Sequence, residues 1–124
     1  MMNRFHKGKE GERAAAEYLL SSGIKIVERN FRCPLGEIDL IAKDGEVIVF
    51  VEVRSRQLDG ICSPEESITM NKRRRVARAA LWYLKQRGLQ NCNARFDVIA
   101  VRWNGEKPEK PEVNWIVNAF EYGR

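Results

Sequence analysis

Two strand-like segments, Gly36-Glu37-Ile38-Asp39-Leu40-Ile41 and Val49-Phe50-Val51-Glu52-Val53-Arg54, place carboxylates within runs that otherwise read as core. Both are rich in β-branched and aromatic residues. Asp44-Gly45 between them is a strong two-residue turn signal, so the two segments form one hairpin. With Asp44 and Gly45 as the loop, Lys43 pairs with Glu46, Ile41 lies opposite Ile48, Asp39 opposite Phe50 and Glu37 opposite Glu52. Alternation then sets Glu37, Asp39, Ile41, Ile48, Phe50, Glu52 and Arg54 on one side of the sheet. Ile38, Leu40, Val47, Val49, Val51 and Val53 take the other. A slip of one residue would mismatch these apolar sets. Asp39 and Glu52 become diagonal neighbours with backbones about 7–8 Å apart, close enough for both carboxylates to converge on one cation. Buried, ionised acids require a metal, a proton or a partner charge. The competing expectation leaves Glu37 and Glu52 at solvated strand ends and Asp39 bonded to a turn.

Outside the hairpin, glycines and prolines divide the chain. Gly8 to Ser22 carries Ala15, Tyr18 and Leu19 at helical spacing and stops at Gly23, which predicts an amphipathic helix with Glu12 in its first turns. A strand over Ile24 to Asn30 follows. After the hairpin comes a polar loop from Ser55 to Ser63, with Gly60 and Pro64 as breakers. Ser63 with Glu66 three residues on would suit a helix start, and a short strand over Ser67 to Thr69 fits equally well. Val76, Ala79, Ala80, Tyr83 and Leu84 form the apolar stripe of a second helix that Gly88 terminates. Arg95 to Trp103 alternates as a further strand, Asn104 to Pro111 is a turn, and Val113 to Val117 closes the sheet. Helix, three strands, helix, strands is an α/β sandwich around a mixed sheet.

The 124 residues, 44% of them hydrophobic, suffice for one domain and one core. No apolar run reaches the roughly 18 residues of a membrane span, and the N-terminus lacks the apolar core of a signal peptide, so the expected location is the cytoplasm. Cys33, Cys62 and Cys92 are odd in number and contain no Cys-x-x-Cys pair, which supports neither a disulfide framework nor a zinc site. His6 is the only histidine, which argues against histidine-based catalysis.

Charge is distributed unevenly. From Ser67 to Phe96 there are eight basic residues and no acid, so this stretch carries +8 and the rest of the chain −3. Lys72, Arg73, Arg74, Arg75 and Arg78 begin the second helix. Four consecutive cations cover every side of a helix turn, which favours contact with a nucleic-acid backbone and a steep salt dependence. The alternative is a solvated helix face.

An acid on one strand followed by Glu52-Val53-Arg54 on the next is similar to the Asp, Glu-x-Lys signature of the PD-(D/E)XK nuclease superfamily. Upstream, Gly8-Lys9-Glu10-Gly11-Glu12-Arg13-Ala14-Ala15-Ala16-Glu17-Tyr18-Leu19 resembles the opening helix of the YraN family. That family comprises small bacterial predicted nucleases related to archaeal Holliday-junction resolvases. Arg29-Asn30, Gly36 to Ile41, Val49 to Arg54, Lys72 and Arg95-Phe96-Asp97-Val98 follow in the family's order, so the resemblance covers almost the whole chain. It implies a restriction-endonuclease-like three-layer sandwich and a metal-dependent DNA endonuclease, acting on branched or duplex DNA in repair or recombination. The implied ligands of Mg²⁺ or Mn²⁺ are Asp39, Glu52 and the carbonyl of Val53, ligands suited to a hard cation. Glu12 matches the family's helix glutamate and would bind a second metal or place a water; as an exposed first-turn residue it would only favour the helix dipole. The relatives imply a homodimer.

Arg54 departs from the lysine of the signature. Its guanidinium holds phosphate but does not give up its proton, so it stabilises charge without serving as a base, and Lys72 or Arg56 could also lean into the site. Whether the chain is an enzyme therefore stays open. Beside the nuclease stand a catalytically weak nuclease-fold scaffold that binds DNA, and an interaction domain whose basic helix meets acidic protein or RNA. The last leaves Asp39 and Glu52 unexplained.

Overall fold

The computed structural model of the chain describes residues 4–57, 69–103 and 111–121, with the side chains of 4–7, 56 and 57 excepted. Helix α1 (Arg4–Ser21) leads into strands β1 (Lys25–Cys33), β2 (Gly36–Asp44) and β3 (Val47–Gln57). Helix α2 (Met70–Gln86) then crosses to β4 (Ala94–Trp103), and β5 (Glu112–Phe120) completes the chain. The strands lie side by side in sequence order in one five-stranded sheet. Only β3 and β4 are parallel, which is why a helix joins them and short connections suffice elsewhere. The element order is the expected one. The expected Ser63 cap, Cys62 and most of the loops around Gly60 and Asn104 lie outside the described residues.

The hairpin forms, but with its turn moved on by one residue. Asp44 pairs with Val47, so Gly45 and Glu46 make the turn, and Ile41 faces Phe50 rather than Ile48. Gly45 has φ 60°. A turn with glycine at its first central position puts the positive φ where no side chain opposes it, whereas an Asp44-Gly45 loop would have forced it on Asp44. Each partner is displaced by two positions, the period of a strand, so Ile41, Ile48 and Phe50 still share a face.

A second departure matters more for the site. Ile38 and Leu40, expected on one face, fall in different cores: Ile38 packs with Phe31 and Phe50, and Leu40 with Val49 and Val51. The ladder between β1 and β2 pairs Arg29 with Leu40 and Phe31 with Ile38, with Asn30 and Asp39 between them. Asn30 sits at φ 53°, a left-handed conformation that asparagine tolerates better than most residues. The alternation therefore inverts at Asn30 and Asp39.

Two cores result, one on each sheet face. Ala15, Ala16 and Leu19 of α1 pack on Leu40, Val49, Val51, Ile99 and Val101. Val76, Ala79, Ala80 and Tyr83 of α2 pack on Ile38, Ile41, Ile48, Phe50 and Val98. Helices on both faces make this an α/β three-layer sandwich. Tyr83 stands edge-on to both Phe31 and Phe50, with ring centroids 5.2 and 5.9 Å away.

β5 is held by a buried acid. Asp97 is fully buried and accepts hydrogen bonds from Arg95 Nε at 3.1 Å, Trp115 Nε1 at 2.9 Å and the Asn118 amide at 2.8 Å. Arg95 also reaches Asp44 at 3.0 Å. Each carboxylate oxygen is thus satisfied within the fold, and Asp97 is structural. Among the described residues, no helix is long and apolar enough to cross a membrane.

Candidate functional site

The β2–β3 ladder ends at Leu40 and Val51, one residue short of Asp39 and Glu52, whose carboxyls are close enough to interact. Regular pairing stops there, and Asp39 Oδ2 accepts the Val53 amide at 2.8 Å. A side chain thus takes the place of a backbone acceptor and orients the carboxylate. Glu52 is 2% exposed, beside the Phe50 core, so it is not the solvated strand-end residue of the competing expectation. Burial pushes its carboxyl up to about 8; Asp39 adds to the rise, and Lys72 and Arg54 oppose it. Burial also raises Asp39, against the Val53 hydrogen bond and the charge of Lys72. The two acids resist ionising together, as like charges in a desolvated site must.

Only two buried side-chain polar atoms among the described residues lack a hydrogen-bond partner, Glu52 Oε1 and Trp103 Nε1. An unpartnered carboxylate oxygen beside a second acid fits a hard divalent cation: Oε1, the remaining oxygen of Asp39 and the Val53 carbonyl are the kind of ligands Mg²⁺ takes. The described residues contain no cluster of three or more acidic, histidine or cysteine ligands, so such an ion would keep several waters.

Glu12 reaches this centre from the other layer. Because α1 begins at Arg4, Glu12 lies within the helix, and the first-turn role falls away. With its amide nitrogen turned to Glu12, Asn30 donates to both carboxylate oxygens at 3.0 and 3.1 Å. Partial burial raises the Glu12 carboxyl, Asp39 raises it further, and Asn30 opposes the rise. Gly11 brings α1 this close: a methyl there would collide with Ser55 Oγ and lie 3.2 Å from Ser55 Cβ. Glu37, expected on the same face as the pair, is instead exposed and ion-paired to Arg32 at 3.5 Å. It stays near enough to raise the proton affinity of Asp39 and Glu12.

The basic start of α2 divides by direction. Lys72 points to the sheet, its Nζ 3.6 Å from Glu52 Oε2. The Arg73 guanidinium lies 5.4 Å from the centroid of Phe120. Arg74, Arg75 and Arg78 are exposed. Thr69 caps the helix, its hydroxyl accepting the Lys72 amide at 3.1 Å, and no acid occupies the first turn. Arg54, half-buried on β3, adds positive charge at Glu52. Of the two places open to Lys72, the DNA-binding face and the site, periodicity favours the second: it precedes buried Val76, Ala79 and Tyr83 by four, seven and eleven residues, along the inward stripe. Asn30 gave no such signal. A separate groove of about 740 Å³ runs between Ala77, Ala80 and Leu84 of α2 and Phe96, Val117 and Phe120. None of the carboxylates described above lines it.

Fold and site together define an α/β three-layer protein with a carboxylate pair within two adjacent strands and a cationic helix above it. The chain belongs to the UPF0102 family, an uncharacterised protein family whose sequence profile matches residues 11–101. It is 45% identical over 126 residues to a UPF0102 protein of Syntrophus aciditrophicus, covering all of this chain and 97% of the relative. Over 119 residues it is 48% identical to one of Moorella thermoacetica, covering 96% of this chain and 98% of that protein. A UPF0102 protein of Geobacter sulfurreducens is 44% identical over 114 residues, 92% of this chain and 88% of the relative.

Proposed function

We propose that this protein hydrolyses phosphodiester bonds of DNA with the help of a divalent metal ion, Mg²⁺ or Mn²⁺, held by Asp39, Glu52 and the Val53 carbonyl. The observation that carries the proposal is the buried Glu52 carboxylate beside half-buried Asp39, with Glu52 Oε1 unpartnered. A fold tolerates such a pair at a cost of several kcal/mol unless a cation resolves it. When bound, a divalent ion supplies positive charge for the phosphoryl oxygens and acidifies water. Asp39, fixed by the Val53 amide, and Glu52 would hold the ion. Glu12, held by Asn30 and near enough to Asp39 to feel its charge, would orient a water. Arg54, permanently charged, would grip the phosphate through its fork of donors.

The exposed Arg74, Arg75 and Arg78 suit the DNA backbone, and branched DNA of the kind met in repair or recombination is the substrate class that the YraN resemblance suggests. A labelled panel of single-stranded, duplex, flap and four-way-junction DNA, incubated with Mg²⁺ or Mn²⁺, tests the proposal. Metal-dependent cutting by the wild type should fall by more than about 100-fold in Asp39→Ala, beyond the effect of changing an outer-shell residue. Cutting that persists in EDTA or in Asp39→Ala would end it. Loss of two phosphate contacts in Arg74→Ala/Arg78→Ala should weaken binding of every DNA in the panel and flatten the log–log salt slope by about 2. An unchanged slope would make this face merely solvated.

Arg54 favours a second reading, a scaffold that binds DNA without cutting it. Metal and DNA binding by the wild type with no turnover on any member of the panel would select it.

A further inference from the structure

We infer that Lys72 belongs to the carboxylate centre and not to the DNA-binding face. On this inference, which rests on the nuclease proposal, its ammonium holds the reacting phosphoryl oxygen or water beside Asp39 and Glu52. The site's second cation then comes from α2 across the layer boundary, in addition to Arg54 on β3.

Four observations place it there. Lys72 lies on the inward stripe of α2 with Val76, Ala79 and Tyr83, all buried, whereas Arg74 and Arg78 lie on the outward side. Thr69 caps the helix at the Lys72 amide, which fixes the first turn at this point. Nζ stands 3.6 Å from Glu52 Oε2, an ion-pair separation, and an ammonium has three N–H groups, so one turned to the carboxylate leaves others for a substrate oxygen. The Lys72 side chain is 29% exposed and therefore reaches both the buried acid and the solvent from which a substrate arrives.

Glu52 accordingly divides its two oxygens. Oε2 faces Lys72, and Oε1 has no partner. A metal ion on Oε1 and an ammonium beside Oε2 would flank one position, where an anionic oxygen meets positive charge from both sides. The first turn of α2 contains no acid, so the helix N-terminus adds to the same field. A guanidinium is a broad planar fork, whereas an ammonium is a compact donor that fits between a metal and a phosphoryl oxygen.

The test compares full-length Lys72→Met and Lys72→Arg with Arg74→Ala/Arg78→Ala in three measurements. These are affinity and salt slope for labelled duplex DNA in EDTA, affinity for Mn²⁺ by calorimetry, and cleavage of the DNA panel in Mg²⁺. Lys72→Met should cut at least about 100-fold more slowly, bind DNA within about twofold of wild type, and leave the salt slope unchanged. It should also bind Mn²⁺ more tightly, because a competing cation has left Glu52, and Lys72→Arg should recover part of the cutting. The inference is overturned if Lys72→Met lowers DNA affinity and flattens the slope by about 1, as a phosphate contact would, while Mn²⁺ affinity and cutting at saturating DNA stay unchanged. A wild type that never cuts would refute the nuclease proposal alone. Lys72 is then decided by Mn²⁺: tighter binding in Lys72→Met retains it at the centre, and unchanged binding removes it.

Discussion

Glu52→Gln is expected to stabilise the metal-free protein at pH 8 by a few kcal/mol while abolishing its response to divalent metal. The ordinary carboxyl value is 4.5, and burial, with Asp39, raises Glu52 to about 8 in the folded chain. Below the lower value the group is protonated in both states and costs nothing. As pH rises from 4.5 to 8 the unfolded chain releases its proton and the folded chain resists, so stability is lost across that window, at roughly 1.4 kcal/mol for each step of one in pH. Glutamine keeps the shape and never ionises; loss of the Lys72 ion pair offsets part of the gain. Thermal melts between pH 5 and 8.5 should therefore fall steeply for the wild type and much less for Glu52→Gln. The variant should melt on the order of 10 °C higher at the alkaline end. Millimolar Mg²⁺ or Mn²⁺ should raise the wild-type melting temperature at pH 8 and leave the variant unmoved, since only a ligand that binds the folded state stabilises it. Parallel pH profiles for the two proteins would show that Glu52 carries no such penalty.

Asp97→Ala should cost about 3–5 kcal/mol, the range for breaking a buried ion pair from one side. The substitution leaves the Trp115 indole N–H and the Asn118 amide without their acceptor and Arg95 with Asp44 alone. Asn118 is held at φ 56° by that bond, so the end of β5 loses its anchor as well. Asp44→Ala removes the other partner of Arg95, but that carboxylate is 45% exposed and the loss should stay below about 1 kcal/mol. Urea unfolding followed by tryptophan fluorescence measures both, with a common slope indicating that stability alone has changed. Midpoints displaced equally in the two variants would contradict the structural role assigned to Asp97.

These residues also show where sequence reasoning succeeds. Alternating valines and isoleucines between turn residues suffice to recognise the hairpin, and two acids among them mark the site. The turn's one-residue displacement did no harm because it preserved the faces of Ile41, Ile48 and Phe50. The fate of Ile38 was not legible, since it depends on a left-handed Asn30 on the neighbouring strand, and no pattern within β2 reports that. Lys72 is legible as a residue leaning into the site from its spacing to Val76 and Tyr83, although its place in a run of cations equally suits the DNA-binding face. Asp97 was opaque for another reason: its acceptors are matched by Trp115 and Asn118, about twenty residues on, and only tertiary structure brings them together.

The inversion of alternation at Asn30 and Asp39 has a mechanical consequence. A regular sheet is a partition whose two sides do not exchange information, since each side chain belongs to one face. At this fault the partition is breached: Glu12 approaches from the layer of α1 and Lys72 from the layer of α2, and both feel the Asp39 carboxylate. Whatever charge settles on Asp39 is therefore registered by both outer layers at once, where β2 parts from β3 beyond Leu40.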